Sequence, residues 1–286
     1  VVYDRPVLGR RRSPRALAGA SLIAVLCLVA ALAPWLASPV ALDLDHGVGT
    51  LGQPLPPSAD HLLGTDPLGR DEWARIAAGA GTSLEIAGLA TALALLIGAP
   101  IGLLAGARGG WVDAALMRVV DAFTAFPVLL LAIFLAALLR ETQLAGTAAP
   151  AALALGLASW TTVARVVRGD AQVAARAEHV VAARALGAGR ARVLAHHVLP
   201  QLAPTLGVLT SLTLSASLLA EAGLSYLGLG PPPSSPTWGR MLAEGQPYYR
   251  TAPWLIVAPG VAIVLAVAGF ALLARGRARR AAERAW

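Results

Sequence analysis

Residues 178–200 read EHVVAARALGAGRARVLAHHVLP. The stretch lies between two apolar runs of membrane length. It carries Arg184, Arg190 and Arg192, with no acid after Glu178. Gly187-Ala188-Gly189 interrupts an otherwise helical pattern. Glycine admits backbone conformations that other residues avoid, so the pattern predicts a short helix, a sharp turn and a second short helix. Pro200 predicts another break, where the next apolar run begins. Val180, Ala183 and Gly187 share one helical face, with Val181 and Ala182 adjoining, which gives a small apolar surface able to enter a groove. Two membrane spans need no such element merely to be joined. A helix-turn-helix at a membrane surface is a shape that another protein can grip.

Outward from this segment the chain is strongly apolar. It has 286 residues, 57% hydrophobic and 14% charged, against about 25% charged in a soluble domain. A crossing needs about 20 apolar residues. Intervals without charge give six candidates: about 16–38, 85–108, 121–140, 141–165, 203–228 and 250–275, the fifth interrupted by Glu221. The expected fold is an all-α integral membrane protein with six transmembrane helices. Pro100 falls inside the second span, where neighbouring helices can satisfy the freed carbonyl. The apolar part of the first interval exceeds the roughly 7–15 residues of a signal-peptide core, so it is expected to remain a membrane helix.

Arginine placement sets the orientation. Segments 1–15, 108–121, 165–200 and 275–286 hold 18 of the 23 Arg. The positive-inside rule therefore puts them, and both termini, in the cytoplasm. Residues 1–81 comprise the cytoplasmic N-terminus, the first transmembrane helix and an extracytoplasmic loop. Residues 82–286 form a five-helix core whose longest inside loop is 165–200. The net charge of +7 then reflects topology rather than a nucleic-acid footprint. The Arg-rich tail RGRARRAAER suits anionic lipid.

The chain has no Lys. It therefore lacks the P-loop Lys that reaches nucleotide phosphates, and it offers no Lys for a Schiff base. No His-Glu-x-x-His occurs, and the adjacent His196 and His197 do not face each other on a helix. Cys27 is the only cysteine, so no internal disulfide exists, and it is expected to pack inside the first span. Glu221 is the one carboxylate expected deep in a span. Such groups are functional candidates: it either lines a translocation path or bonds to Ser217 or Ser225. Asp66, Arg70 and Asp71 are expected to form an ion-pair network beyond an Asp-Pro turn. Trp238, Tyr248, Tyr249 and Trp254 suit a membrane interface.

Four motifs, in order, resemble ABC-importer permeases of the dipeptide/oligopeptide/nickel family. The inside-loop frame of that family, E-A-A-x3-G-x9-I-x-L-P, falls on Val181-Ala182-Ala183, Gly187 and Leu199-Pro200. Val181 stands for Glu, and His197 for Ile. His61-Leu62-Leu63-Gly64-Thr65-Asp66, with Leu68-Gly69-Arg70-Asp71, resembles H-x-L-G-T-D-x-x-G-R-D. Gly109-Gly110-Trp111 with Asp113, Met117-Arg118 and Asp121 resembles the stretch between spans two and three. Glu221 to Gly230 followed by Thr237-Trp238-Gly239 resembles E-x-x-L-S-F-L-G-L-G…W-G. The short N-terminal span and the Gly-Thr-Asp loop resemble the C-type subunit. The Arg-rich tail departs from the family's usual ending.

The resemblance implies one of two permease subunits in a prokaryotic inner membrane. It implies a second permease, two ABC ATPases inside that carry ATP and Mg, a solute-binding protein outside, and no cofactor on this chain. The implied ATPase-coupling residues are Glu178, Ala182, Ala183, Arg184, Gly187, Arg190, Leu199 and Pro200. The implied extracytoplasmic motif is Gly64, Thr65, Asp66, Gly69, Arg70 and Asp71. The implied cargo is di- or oligopeptide, with nickel or another small solute as the alternative. A secondary transporter would need its own coupling groups in paired repeats, and no repeat is visible. A membrane enzyme would need a convergent polar cluster, and the sequence shows none.

Overall fold

The computed structural model describes residues 14–36, 49, 53–142, 144 and 146–285. The expected N-terminal segment before residue 14 and most of the loop 39–52 lie outside these residues.

The described residues are mainly helical, with an isolated β-bridge between Thr65 and Asp71. The main helices are α1 (Pro14–Leu36), α2 (Glu72–Arg108), α3 (Gly110–Thr124), α4 (Val128–Leu139) and α5 (Ala149–Ala175). They continue as α6 (Glu178–Ala185), α7 (Arg190–Val193), α8 (Leu199–Tyr226), α9 (Trp238–Gly245) and α10 (Trp254–Ala285). Five helical stretches are long and apolar enough to cross a membrane, or six if α3 and α4 count as one broken span.

Close approach between α2 and α5 builds the centre. Gly98, Gly102 and Gly106 put one bare face of α2 against the α5 backbone. A Cβ on each would sit 2.4 Å from the carbonyl oxygens of Trp160, Ala164 and Arg168. Such contact needs residues without side chains, as membrane helix interfaces commonly use. α8 packs against α2, α5 and α10, and α1 packs on α10. Gly276 meets Ala16 there, and Gly19 meets Gly269 and Leu273. Both ends of the described chain therefore lie at the end of the bundle that carries α6. This is the loop end of the molecule.

Four sequence expectations change. The third interval is not one rod: α3 and α4 meet at 80° across Ala125-Phe126-Pro127. Proline disfavours helix at the preceding residue and offers no N–H. α4 alone is 12 residues, about 18 Å, shorter than the roughly 30 Å hydrocarbon layer. Pro200 does not break the chain. It enters within the first turn of α8 after a π-helical turn, Leu194–Val198, in which the Leu199 N–H reaches the Leu194 carbonyl. That wider turn lets proline ride inside a continuous rod from Arg190 to Tyr226. Cys27 is exposed on the flank of α1 rather than packed. Trp238 is 1% exposed rather than interfacial. Its indole N–H donates to the Ile76 carbonyl at 3.1 Å, and its backbone N–H to Ser83 Oγ at 3.3 Å. The indole thus seats α9 on α2.

α2 has 37 residues, about 55 Å, and so outruns the hydrocarbon layer. The span expected from the charge-free interval begins after Glu85, which leaves Glu72–Leu84 beyond that expected span. The boundary drawn at 81/82 falls inside this helix.

Candidate functional site: an exposed helix-turn-helix

At the loop end, α5 stops at Ala175, two residues turn, and α6 begins at Glu178. α6 ends in a Schellman arrangement. The Ala188 N–H donates to the Ala183 carbonyl and the Gly187 N–H to the Arg184 carbonyl, each at 3.0 Å. Gly187 adopts φ +86°, a left-handed conformation that costs any L side chain about 1–2 kcal/mol. The space around it is open, with no atom within 4 Å of the point where a Cβ would stand. The requirement for glycine is conformational rather than steric.

The element is held from beneath by its own apolar core. Val180, Val193 and Val198 are 0–1% exposed and join Ala174, Val167 and Leu202 in one cluster. Val180 therefore faces inward and does not belong to the grip surface expected for it; the identical neighbour Val181 stays 53% exposed, so the packing of α6 on Val193, Val198 and Leu202 rather than side-chain size selects the inner face. The outer surface is made by Val181, Ala182, Arg184, Ala185 and Leu186, with Ala183 partly covered. Leu186 is 89% exposed. Sequence reasoning missed it, because a leucine just before a cap glycine reads as helix interior. Glu178, Arg190, Leu199 and Pro200 are exposed as well. Gln201 Nε2 donates to the His197 carbonyl at 2.7 Å and lies 3.0 Å from His179 Nε2, which ties the start of α6 to α8.

The opposite end carries the 61–75 motif. Asp66 is 1% exposed and Arg75 2%. Asp66 Oδ2 accepts from Arg70 Nε at 2.6 Å and from Arg75 Nη1 at 2.5 Å. Arg75 Nη2 donates to Glu244 Oε2 at 2.6 Å. Asp66 Oδ1 takes the backbone N–H groups of Leu68 and Arg70 and so closes the turn. Asp71 lies apart from that network: it caps α2 by accepting from the Ala74 N–H and sits 3.0 Å from His61 Nδ1. Gly64 and Gly69 have φ of +76° and +80°. Thr65 is fully buried, and its Oγ1 accepts from the Leu55 N–H at 2.8 Å. Sequence reading missed Arg75 and Glu244, whose partnership spans 169 residues. Glu72 is 1% exposed, and its two carboxylate oxygens have no hydrogen-bond partner among the described residues. Burial pushes its pKa up to about 8; Arg75 opposes this, while Asp66 and Glu244 add to it.

Glu221 lies between these ends with no exposed surface. Its Oε1 accepts from Ser225 Oγ at 2.6 Å. A cavity of about 310 Å³ at the end opposite the loop is lined by Arg140, Thr147, Pro150, Pro232 and Pro233 among others, far from α6.

The described residues form a helical bundle with five or six candidate membrane spans and an exposed helix-turn-helix at one end. The family model for "binding-protein-dependent transport system inner membrane component" matches residues 98–284, and the chain belongs to that family. It is 33% identical to the dipeptide transport system permease protein DppC of Alkalihalophilus pseudofirmus, covering 93% of this chain and 84% of that one. It is 38% identical to a putative peptide transport system permease protein of Brucella suis, over 96% and 89%. It is 36% identical to the nickel transport system permease protein NikC of Escherichia coli, over 88% of each. Its fold resembles a chain of the MetNI methionine ABC transporter in an inward-facing conformation, with TM-score 0.53 and 20% identity over 72% of this chain and 94% of that one.

Proposed function

We propose that this chain is one of two permease subunits of an ATP-driven, binding-protein-dependent importer of di- and oligopeptides in a prokaryotic inner membrane. On this reading the chain has six spans, counting α3–α4 as one, and the loop end and both termini lie in the cytoplasm, where the positive-inside rule favours the Arg-rich segments. Two ABC ATPases bind there with their ATP and Mg, a second permease completes the path, and a solute-binding protein delivers cargo to the opposite end. This chain holds no cofactor. The observation that carries the reading is the 89% exposure of Leu186 on a helix-turn-helix whose underside is a buried valine core. A rigid element presenting an apolar tip and flanking arginines fits a groove with an acidic rim.

ATP binding closes the ATPases and displaces the element. Because Val180 locks it to α7 and α8, it moves with the loop-end halves of the spans. The path then exchanges between two states whose balance nucleotide and binding protein set. Glu178, Ala182, Ala183, Arg184, Gly187 and Arg190 form or shape the contact; Leu199 and Pro200 join it to α8. Gly64, Thr65, Asp66, Gly69, Arg70 and Asp71 hold the opposite end in shape. Glu221 is a structural hydrogen-bonding group within the subunit rather than a path wall. A nickel or other small-solute cargo is the second reading, favoured by the similarity to the nickel permease.

ATP-driven uptake in reconstituted vesicles tests this. The chain is co-expressed with its partner permease, ATPases and binding protein, and labelled di- to hexapeptides and Ni²⁺ are offered to wild type and Gly187→Trp. Peptide uptake that the variant loses while still assembling supports the proposal. Nickel uptake alone changes the cargo, and uptake indifferent to ATP overturns it.

A further inference from the structure

A polar seam joins α3 to α5 beside the helix-turn-helix. Arg168 Nε and Nη2 donate to the two oxygens of Asp113 at 2.5 and 2.7 Å, a bidentate fork. Gln172 Nε2 donates to the same carboxylate at 3.3 Å. One turn further from the loop end, Arg165 Nη2 donates to Asp121 Oδ1 and to Thr124 Oγ1, each at 2.8 Å. Beyond that, Phe123 meets Trp160 edge-on with ring centroids 5.3 Å apart. Residues 165, 168 and 172 share one face of α5, so the seam follows α3 over its length.

The seam has a mechanical setting. At its lower end, α5 passes into α6 through two residues only. At its upper end, α3 passes through the 80° elbow into α4. α4 carries Leu130, Phe134 and Leu138, each more than half exposed, on a face that its own chain does not cover. A fork of two parallel bonds fixes orientation as well as distance. The Asp113 side chain is only 13% exposed, whereas Asp121 is 60% exposed. Solvent weakens the outer pair far more than the inner one.

We propose that Arg168, seconded by Gln172 and Arg165, is a positioning residue that carries displacement of the helix-turn-helix through Asp113 into the elbowed α3–α4 pair. This rests on the coupling role given to residues 178–200 above. Movement of α6 drags the end of α5, the fork drags α3, and the elbow turns that into rotation of the exposed α4 face.

The test uses the whole transporter with two readouts. Arg168→Gln and Asp113→Asn are expected to lower peptide uptake per ATP hydrolysed about tenfold, a normal size for coupling between sites, with binding-protein-stimulated hydrolysis retained. The reversed pair Asp113→Arg with Arg168→Asp is expected to recover part of the loss. The second readout needs no cargo. In a Cys27→Ser background, Phe126→Cys in the elbow is labelled with and without ATP and vanadate. Its labelling rate is expected to change in the otherwise unaltered transporter and to stop responding in Arg168→Gln. An elbow that never responds, one that still responds in Arg168→Gln, or uptake and hydrolysis falling together at constant ratio overturns the proposal. Absence of ATP hydrolysis in the unaltered transporter with its partner subunits would instead sink the importer reading.

Discussion

Arg75, at the end opposite the loop, is 2% exposed and clasped between Asp66 and Glu244; Leu186, at the loop end, is 89% exposed. The two ends invert the usual placement of charged and apolar residues. A buried charge is stable only when paired, so the Asp66–Arg75–Glu244 tie points inward and closes the chain on itself. An apolar side chain on a polar turn gains nothing from its own chain; with Val181 also exposed on the same short element, it supplies the apolar surface that the proposed contact would cover. On the proposed function, one end holds shape and the other makes contact. Substitutions at the two ends should therefore fail in different ways.

The largest effect is expected at the buried cation. Arg75→Met removes the buried cation from Asp66 and Glu244 and leaves only the more exposed Arg70, 2.6 and 3.5 Å from them, to bridge the two; losing a buried partner this way costs about 3 kcal/mol. Thermal unfolding of the purified transporter should show a large drop in midpoint; an unchanged midpoint would mean that water compensates for the lost guanidinium. Leu186→Glu should do the opposite. Melting of the isolated permease pair should stay unchanged while uptake falls about thirtyfold, the cost of losing a contact anchor worth about 2 kcal/mol. If melting falls as well, Leu186 serves the fold and the contrast collapses.

Gly187→Ala sharpens the contact end. The open surroundings remove steric clash, so only the positive φ is penalised, by about 1 kcal/mol. Uptake should fall several-fold with little change in overall melting, and Gly187→Asn should fall less because Asn tolerates this conformation. The smallest effect is expected from Glu72→Gln, and it appears as a pH profile. The carboxyl is raised from the ordinary range to about 8 in the folded chain. A raised pKa means that the folded state holds the proton longer than the unfolded one. The stability that it contributes is present at low pH and is lost as pH rises towards about 8. Melting midpoints of wild type should decline across that window, whereas those of Glu72→Gln should stay flatter; parallel profiles would show that another group carries the titration.

Much of this is legible from residue order. Charge-free intervals mark the spans because a charge in hydrocarbon is costly wherever the helix sits. The turn at 187–189 is legible because a left-handed residue at a helix end is set by local backbone sterics. Pro127 stands in plain view, yet its 80° elbow has no signature of its own, because an apolar run reads the same whether straight or bent. Pro200 misleads for the converse reason: a π turn five residues long absorbs it, and nothing in LAHHV announces one.

Residue order alone is enough for a membrane-embedded helical chain without Lys, its Arg-rich end and its capped helix-turn-helix. These follow from hydropathy, charge and φ preferences that act over a few residues. It takes the packed bundle to show that Val180 turns inward while Leu186 stands out, that Trp238 is a core residue, that Glu221 has no exposed surface, and that Arg75 pairs with Glu244 169 residues away. Each depends on which helix faces are brought together across the bundle, and packing of that kind joins residues whose separation along the chain carries no local signal.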